Sequence, residues 1–323
     1  MREHILDVIA AIGPEVEAIY VVDDACPQGS GEHVGINCTD TRVRVVKNDT
    51  NLGVGGATIR GYREAIAQGM DVLVKLDGDG QMDPARIASL IRPILEGNAD
   101  YTKGNRFSDL ESVSSMPAVR LIGNAALSFV NKASSGYWDV MDPTNGFTAL
   151  HATVASALPL DKVAHDYFFE SDLLFRLATL RAVVVDVPMP AFYGAEKSNL
   201  RVSQVARSFP GRFLVRGLKR VFYGYFLRDF NAGTVQLLAG LALTIGGGVF
   251  GALRWRDSIV SGVPATAGTV VLAALPVLLG GQLLIAALNY DIGNIPRRPL
   301  HPHLGGKTKT GAPMAADTAE RVP

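Results

Sequence analysis

Short apolar runs alternate with helix-like segments in the first third of the chain. Three runs have the length and the Val, Ile and Leu content of buried β-strands, namely Ile19–Val22, Val43–Val46 and Val72–Leu76. A polar loop follows each run, and a helical segment that ends at Gln68 joins the second run to the third. This alternation predicts an α/β domain with a mostly parallel sheet, right-handed crossovers and flanking helices.

The last third of the chain differs, because two long stretches contain no charged residue. They run from Ala232 to Leu253 and from Ser258 to Tyr290. About 20 helical residues cross a hydrocarbon core of ~30 Å, so each stretch is long enough to span a membrane. We predict two transmembrane helices in a hairpin, over residues 232–253 and 266–289. A hairpin buried in a soluble core is the alternative.

Basic residues flank this hairpin and predict its orientation. Seven lie between residues 201 and 228, five follow the second span, and only Arg254 and Arg256 lie in the connection. The positive-inside rule then places the first domain and both termini in the cytoplasm. The sequence therefore predicts a multi-pass protein of the cell (inner) membrane.

Residues 206–230 join the two regions and have the pattern of a basic amphipathic helix. Its faces carry Leu214, Leu218, Val221 and Tyr225 on one side and Arg212, Arg216, Lys219 and Arg220 on the other. Beside membrane spans such a helix is expected in the headgroup plane, and a helix packed on the first domain is the alternative. The predicted segments are 1–205, 206–230, 231–291 and a tail, 292–323, which we expect to be disordered.

Charge and cysteine content narrow the partners. The chain has 31 Lys and Arg against 31 Asp and Glu, so its formal net charge is zero. Because there is no global basic field, nucleic acid is not an expected partner. Cys26 and Cys38 lack metal-site spacing, and on the cytoplasmic side they would not form a disulfide. A homo-oligomer is left open.

The most specific chemical signal is the run Leu-Asp-Gly-Asp-Gly-Gln at residues 76–81. Asp77 and Asp79 follow a predicted buried strand, and the glycines beside them leave room for a large polar ligand. Two carboxylates and the amide oxygen of Gln81 are hard ligands that suit Mg²⁺ or Mn²⁺, ions that often bridge to a diphosphate. An acidic turn without a ligand is the alternative.

A second acidic pair and a glycine-rich loop fit the same sheet edge. Asp23 and Asp24 end the first apolar run, and Gly53–Ala57 opens the helix after the second. Ligands of parallel α/β sheets bind at the carboxyl ends of strands, where both acidic pairs are expected. The glycine loop lacks the full spacing of a dinucleotide fingerprint, which argues against a Rossmann dehydrogenase.

In their order, these segments resemble the motifs of family 2 glycosyltransferases, which have the GT-A fold. The matching pieces are Val21–Asp24, Asn51–Gly53, Asp77–Gln81, Gly104–Phe107, Arg120 with Gly123–Asn124, Asp142–Phe147, Phe169–Asp172 and Tyr193–Ser198. They cover residues 18–205. Together with the membrane hairpin, they are most similar to the branch that contains dolichyl-phosphate mannose synthase and bacterial polyprenyl-phosphate glycosyltransferases.

This resemblance implies inverting, metal-dependent transfer of a hexose from a nucleotide-diphosphate sugar to a polyprenyl-phosphate lipid, for cell-surface glycan or glycolipid synthesis. The implied metal ligands are Asp77, Asp79 and Gln81. The implied donor-binding residues are Asp24, Val22, Gly78, Asp77, Asp79 and Lys197. The implied catalytic residues are Arg106 and Arg120, which would face the phosphates or the acceptor, and Asp142, with Glu170 and Asp172 as other candidate bases.

The acceptor decides whether a base is needed. A lipid phosphate is already an anion at neutral pH, whereas a sugar hydroxyl must lose its proton as it attacks. A transferase that uses a lipid-linked sugar hydroxyl is therefore an alternative in which one of the three carboxylates acts as the base.

The start of the chain departs from the family pattern. Family members begin with a strand that ends in a Pro-x-Tyr-Asn-Glu type motif, and residues 1–18 contain none. We expect such a strand to be encoded upstream. The other possibility is an N-terminally truncated, catalytically silent subunit that binds a lipid or a partner within a membrane glycosylation complex.

Overall fold

A computed structural model describes residues 2–108, 118–190 and 202–304. The α/β domain comes first. Its elements are α1 (Ile5–Ala10), β1 (Ile19–Asp23), α2 (Ser30–Asn37), β2 (Val43–Lys47), α3 (Gly53–Ala67), β3 (Val72–Lys75), α4 (Ile87–Leu95), β4 (Tyr101–Asn105), α5 (Ala118–Ser135), β5 (Thr148–His151), α6 (Ala152–Ala157), α7 (Phe169–Leu180) and β6 (Val184–Pro188). The three predicted strands begin where the apolar runs begin.

The described strands form two sheets. In the first, β1 and β2 are parallel, with Ile19 opposite Val43. In the second the order is β3-β5-β4-β6. There β4 and β6 are parallel, while β5 is antiparallel to both of its neighbours. The sheet structure is thus mixed, since two of these four pairings are parallel.

The antiparallel direction of β5 has a consequence for the sheet edge. Because β5 runs opposite to β3 and β4, its first residue, Thr148, pairs with Lys75 and Lys103 near the carboxyl ends of those strands. The loop before β5, which contains Asp142, Asn145 and Gly146, therefore reaches the same edge as the Asp77–Gln81 turn after β3.

Buried side chains from both sheets and several helices make up the core. On one side of the larger sheet, Leu73, Tyr101 and Leu150 pack in one cluster with Leu173 and Leu177 of α7. After α1, the side chains of Ile12 and Val16 contact both the cluster around β1 and the cluster on the other side of the larger sheet. The two sheets are thereby joined through side chains, and the expectation of a further upstream strand stays a prediction.

Helix α8 (Val202–Phe222) is the segment predicted to be a basic amphipathic helix. Two of its arginines point towards the protein, since Arg212 pairs with Asp166 at 2.7 Å and Arg216 pairs with the buried Asp172 at 2.6 Å. Leu214 and Leu218 are 64% and 62% exposed. The face of α8 that carries Arg212 and Arg216, which we call the arginine face, packs on the α/β domain, while Leu214 and Leu218 are left exposed. These contacts fit the alternative of a helix packed on the first domain, and the place of α8 in the headgroup plane stays a prediction.

Two long helices follow, α9 (Ala232–Ser261) and α10 (Ala267–Gly293), with 30 and 27 residues. They contain both predicted spans and pack against each other, and small residues allow the close approach. A Cβ atom on Gly240 would lie 3.0 Å from Leu284, and one on Gly247 would lie 3.0 Å from the Ala273 carbonyl oxygen. Only 11% of the most apolar part of each helix is buried within the protein. This exposure does not fit the alternative of a buried core hairpin.

The chain after α10 returns to the α/β domain. The backbone amides of Leu300 and His301 donate to the buried carboxylate of Asp100 at 2.8 and 2.9 Å. The His301 ring stacks on that of His151 with centroids 4.3 Å apart. The expected disorder of residues 292–323 is therefore wrong for residues 294–304, which we call the strap. Residues 305–323 lie outside the described part of the chain.

Candidate active site

The turn after β3 carries the two predicted metal-binding carboxylates. Gly80 has a φ of +78°, which favours glycine, and a Cβ atom on Gly78 would lie 2.6 Å from the end of the Ile5 side chain, which would have to shift. The Asp79 carboxylate accepts a hydrogen bond from the Gln81 amide at 3.0 Å, which fixes the turn locally. Asp77, Asp79 and Gln81 are all partly accessible to solvent.

A buried lysine lies beneath this turn. Lys75 Nζ donates to Asp77 Oδ1 at 2.9 Å and lies 3.6 Å from Glu170 Oε1 on α7. Burial alone would lower the pKa of Lys75, but the carboxylates of Asp77 and Glu170 outweigh it and raise the pKa above its usual value. The ammonium group is therefore shared between two carboxylates at the sheet edge.

The side-chain oxygens of the turn suit a hard divalent cation. Within the ranges that the structure describes, no group of three or more His, Cys, Asp or Glu side chains could hold a metal ion. A cation here would take Asp77, Asp79 and the Gln81 amide oxygen and complete its shell with water or phosphate oxygens. Mg²⁺ is commonly bound in that way, with few protein carboxylates.

Arg106 and Asp142 form a two-point ion pair at the same sheet edge as the turn. Arg106 follows β4 and donates through Nε and Nη2 to the Asp142 carboxylate at 2.7 and 3.1 Å. Asp142 is fully buried, whereas the Arg106 side chain is 35% exposed. The geometry argues against the predicted base role for Asp142, because its carboxylate is enclosed and already engaged. The geometry supports a different role, in which the Asp142 carboxylate orients the guanidinium group of Arg106.

Two further charged residues, the fully buried Lys103 and the half-buried Asp186, were missed from the sequence. Lys103 on β4 and Asp186 on β6 stand opposite each other in the parallel register. Burial lowers the pKa of Lys103 to about 8 and raises that of Asp186 to about 6. Lys103 donates to the Asn145 carbonyl oxygen, and Asp186 accepts from the Met141 amide. A charged residue among the valines of β6 was the available signal for Asp186, whereas the sequence of β4, Tyr-Thr-Lys-Gly-Asn, contains no such signal for Lys103.

In the first acidic pair, the carboxylate of Asp24 holds the loop that leads into α3. Asp24 accepts from the side chain of Asn48 and from the amides of Leu52 and Gly53 at 2.8 to 2.9 Å. Asp24 thereby holds the glycine loop at the start of α3. Val22 packs towards α3, where its methyl group lies 3.2 Å from the position of a Cβ on Gly61. The predicted nucleoside contact of Asp24 stays a prediction, and its carboxylate already has a structural role.

The other predicted site residues are Arg120, Lys197 and the two further candidate bases. Asp172 is buried and paired with Arg176 and Arg216, which leaves it no role as a base. Glu170 is engaged by Lys75. Arg120 lies on α5, but its side chain is outside the described part of the structure. Lys197 also lies outside the described residues.

Comparison with known proteins gives a consistent set of relatives. Residues 2–158 match the family model Glycosyl transferase family 2. The UDP-N-acetylglucosamine–dolichyl-phosphate N-acetylglucosaminyltransferase of Methanococcus voltae is 32% identical over 168 residues, which are 52% of this chain and 66% of that protein. The undecaprenyl-phosphate mannosyltransferase of Micrococcus luteus is 33% identical over 173 residues, which are 53% of this chain and 70% of that protein. The chain thus spans about two thirds of these relatives.

A solved structure shows the same fold. Mannosyl-3-phosphoglycerate synthase from Rubrobacter xylanophilus superposes with a TM-score of 0.50 at 16% identity, covering 71% of this chain and 73% of that chain. Glucosyl-3-phosphoglycerate synthase from Mycobacterium tuberculosis, solved with Mn²⁺ and UDP-glucose, gives a TM-score of 0.49 at 19% identity, covering 68% of this chain and 75% of that chain. At such identities the likeness concerns the fold alone.

Proposed function

Because this chain belongs to glycosyltransferase family 2 and has the GT-A fold, we propose that it transfers a hexose from a nucleotide-diphosphate sugar to a polyprenyl phosphate. The reaction takes place at the cytoplasmic face of a membrane and inverts the anomeric centre. One observation carries the proposal: a carboxylate turn that suits a cation–diphosphate complex belongs to the same chain as an exposed apolar hairpin. The names of the relatives, which use dolichyl and undecaprenyl phosphates, support the choice of acceptor.

The leaving diphosphate is the group that needs stabilising. When bound, Mg²⁺ or Mn²⁺ supplies Lewis-acid stabilisation of the developing negative charge. Asp77, Asp79 and Gln81 are the residues that would hold it. The guanidinium of Arg106, oriented by Asp142, adds positive charge on the facing side of the edge. Arg120 is proposed to act with it, and Gly78 lies between the two carboxylates that would face the donor.

A lipid-phosphate acceptor fits the contacts of the three candidate bases. An oxygen of the lipid phosphate attacks C1 of the sugar, and the bond from C1 to the diphosphate oxygen breaks with its electrons. No proton has to be removed, because the phosphate is already an anion. Asp142 and Asp172 are buried in ion pairs and Glu170 contacts Lys75, which supports an acceptor that needs no base.

The placement at the membrane follows from exposed apolar surface. Leu214, Leu218 and Phe222 on α8 are exposed and lie along the chain just before α9. We propose that this face enters the interfacial region while the arginine face holds the α/β domain. The acceptor phosphate would then be presented at the headgroup level.

A direct assay tests this function. The full chain, reconstituted in nanodiscs, is supplied with a panel of nucleotide sugars and with polyprenyl phosphate, and lipid-linked sugar is measured. We expect one donor to give product only when a divalent cation is present. Transfer to a free or lipid-linked sugar hydroxyl without transfer to polyprenyl phosphate would overturn the acceptor. Donor binding without any turnover would favour the silent subunit.

A further inference from the structure

Lys75 is a charged residue that contacts the carboxylate turn, and the proposed mechanism does not use it. Its side chain is 6% exposed, and its ammonium group contacts three oxygen atoms. Asp77 Oδ1 lies at 2.9 Å, the Gly146 carbonyl oxygen at 3.3 Å and Glu170 Oε1 at 3.6 Å. The buried ammonium group of Lys75 therefore already neutralises Asp77, which would also bind a divalent ion.

Two cations cannot share Asp77 without a cost. Like charges a few ångströms apart repel strongly in a partly buried site. An ammonium group fixed on Asp77 would therefore weaken divalent-cation binding. The carboxylate of Glu170 provides an alternative partner for the ammonium group, because it is within reach of Lys75 Nζ without any change in the backbone.

The backbone at Gly146 keeps this small space open. A Cβ atom at that position would lie 2.5 Å from Lys75 Nζ and 3.0 Å from Asp77 Oδ2. Any side chain would thus press on the ammonium and the carboxylate together. The absence of a side chain at Gly146 allows the ammonium group to lie between its two partners.

We propose that Lys75 sets the affinity of the turn for divalent cations by holding Asp77 in the empty site and shifting to Glu170 when a cation binds. This inference rests on the proposed metal-binding role of Asp77 and Asp79. It makes Lys75 and Glu170 positioning residues. The donor then also affects cation binding, because its negative diphosphate offsets the charge of Lys75. The divalent cation therefore binds best together with the donor.

Manganese binding without donor tests the inference. Mn²⁺ is titrated into the full chain in nanodiscs, and free Mn²⁺ is followed by electron paramagnetic resonance. Lys75→Met should bind Mn²⁺ about tenfold more tightly than the wild type, because the competing charge is gone. Glu170→Gln should bind it about tenfold more weakly, because Lys75 then stays on Asp77. Glu170→Gln keeps the side-chain shape, so it provides a second test if Lys75→Met fails to fold.

Lys103→Met is the matched control. Lys103 is also fully buried, but its ammonium donates to the Asn145 carbonyl oxygen rather than to Asp77. Its removal should change Mn²⁺ affinity much less than Lys75→Met. An equal effect of both variants would overturn the proposal, as would unchanged or weaker binding by folded Lys75→Met, or unchanged binding by Glu170→Gln.

Asp77→Asn separates this inference from the function it rests on. If the wild type binds Mn²⁺ and Asp77→Asn does not, the metal site stands, and the two lysine variants decide the role of Lys75. If the wild type binds no Mn²⁺, or Asp77→Asn binds it equally well, the proposed metal site itself is wrong. The role of Lys75 is then wrong with it.

Discussion

At the residue scale, the candidate site consists of charges that are each fixed by a partner. Arg106 is held by Asp142, and Lys75 is shared by Asp77 and Glu170. Removing a charge from water is costly unless an opposite charge and hydrogen bonds compensate for it, so these pairs explain how charged groups can lie beneath the edge. Asp79 differs, because its described partner is the backbone amide of Gln81. Asp79 therefore remains available to a ligand.

This availability makes Asp79 the sharpest single test of the metal assignment. Asp79→Asn keeps an oxygen that can accept from Gln81, so the turn should survive. The loss of one anionic ligand should lower turnover by about two orders of magnitude or more. Asp83→Asn is the matched control, since Asp83 caps the next turn through the Ala85 amide and asparagine can do the same. Full activity of Asp79→Asn in excess EDTA would contradict the assignment.

The role of Asp142 is tested by the shape of a pH profile. If Asp142 orients Arg106, Asp142→Asn should lower kcat by about tenfold and leave the acidic limb of the pH–rate profile in place. Arg106→Gln should have a similar effect, and the double variant should be little worse than either single variant, because the pair acts as a unit. Loss of the acidic limb in Asp142→Asn alone would restore the base role.

At the element scale, local patterns predicted the elements well and their partners poorly. The apolar runs located β1, β2 and β3, because buried strands are rich in Val, Ile and Leu and polar turns end them. The direction of β5 was not predictable, since four residues carry no signal for parallel or antiparallel pairing. The two sides of α8 were recognised, but the sequence did not show which side contacts the α/β domain. Its ion pairs join carboxylates that are distant in sequence, and no local pattern shows them.

The same distinction applies to the candidate site. Asp77 and Asp79 were found because strand, glycines and acids are adjacent in the sequence. The contacts of Lys75 with Glu170 and of Arg106 with Asp142 depend on how β4, β5 and α7 meet. Such contacts are tertiary, which is why Asp142 was predicted to be a base and Lys75 was overlooked.

The exposed face of α8 leads to a prediction about its environment. In a background with Cys26 and Cys38 replaced by serine, an environment-sensitive fluorophore is attached to Leu218→Cys or to Lys219→Cys in the nanodisc-bound protein. Leu218 belongs to the apolar face and should give a blue-shifted emission, because amphipathic helices bury that face at the headgroup boundary. Lys219 is the neighbouring exposed control, and a fluorophore at this position should show the emission typical of an aqueous environment. Equal emission from both sites would contradict membrane contact of this face.

At the scale of the whole molecule, the hairpin is joined to the α/β domain at both of its ends. Before it, α8 is held by the pairs of Arg212 and Arg216. At the end of α10, Asp291 accepts from Trp138 Nε1, Arg220 and the Tyr225 hydroxyl at 2.7 to 3.0 Å. The strap then returns to Asp100. Attachment at several points makes the domain and the hairpin one unit, which would fix the height of the site above the bilayer.

The proposed orientation predicts opposite accessibility for the two ends of α9 and α10. In inside-out and right-side-out vesicles, and in the same cysteine-free background, Ser258→Cys should react with a membrane-impermeant maleimide only from the outer side. Arg298→Cys, just after α10, should react only from the cytoplasmic side. Labelling of both positions from the same side would refute the hairpin topology.

The contact between strap and domain should make stability depend on pH. The pKa of His151 lies below its ordinary value, chiefly because burial disfavours the charged ring and also because positive charge on the stacked His301 ring repels it. The unfolded chain therefore takes up this proton at a higher pH than the folded chain. The contribution of His151 to the free energy of unfolding is thus fully present above the ordinary value of 6.5 and is lost as the pH falls below it.

We expect Tm to fall as the pH is lowered from about 7 to about 5, and His151→Asn to reduce that slope. The His151 ring accepts from the Thr153 amide at the start of α6, and asparagine can take over this capping bond without titrating. His303→Asn is the control, since His303 is an exposed residue of the same strap and its removal should leave the slope unchanged. The measurement is thermal unfolding by near-ultraviolet circular dichroism in nanodiscs. If His151→Asn shows the wild-type slope, the acid sensitivity arises from carboxylates elsewhere, and the docked strap does not respond to pH through this ring.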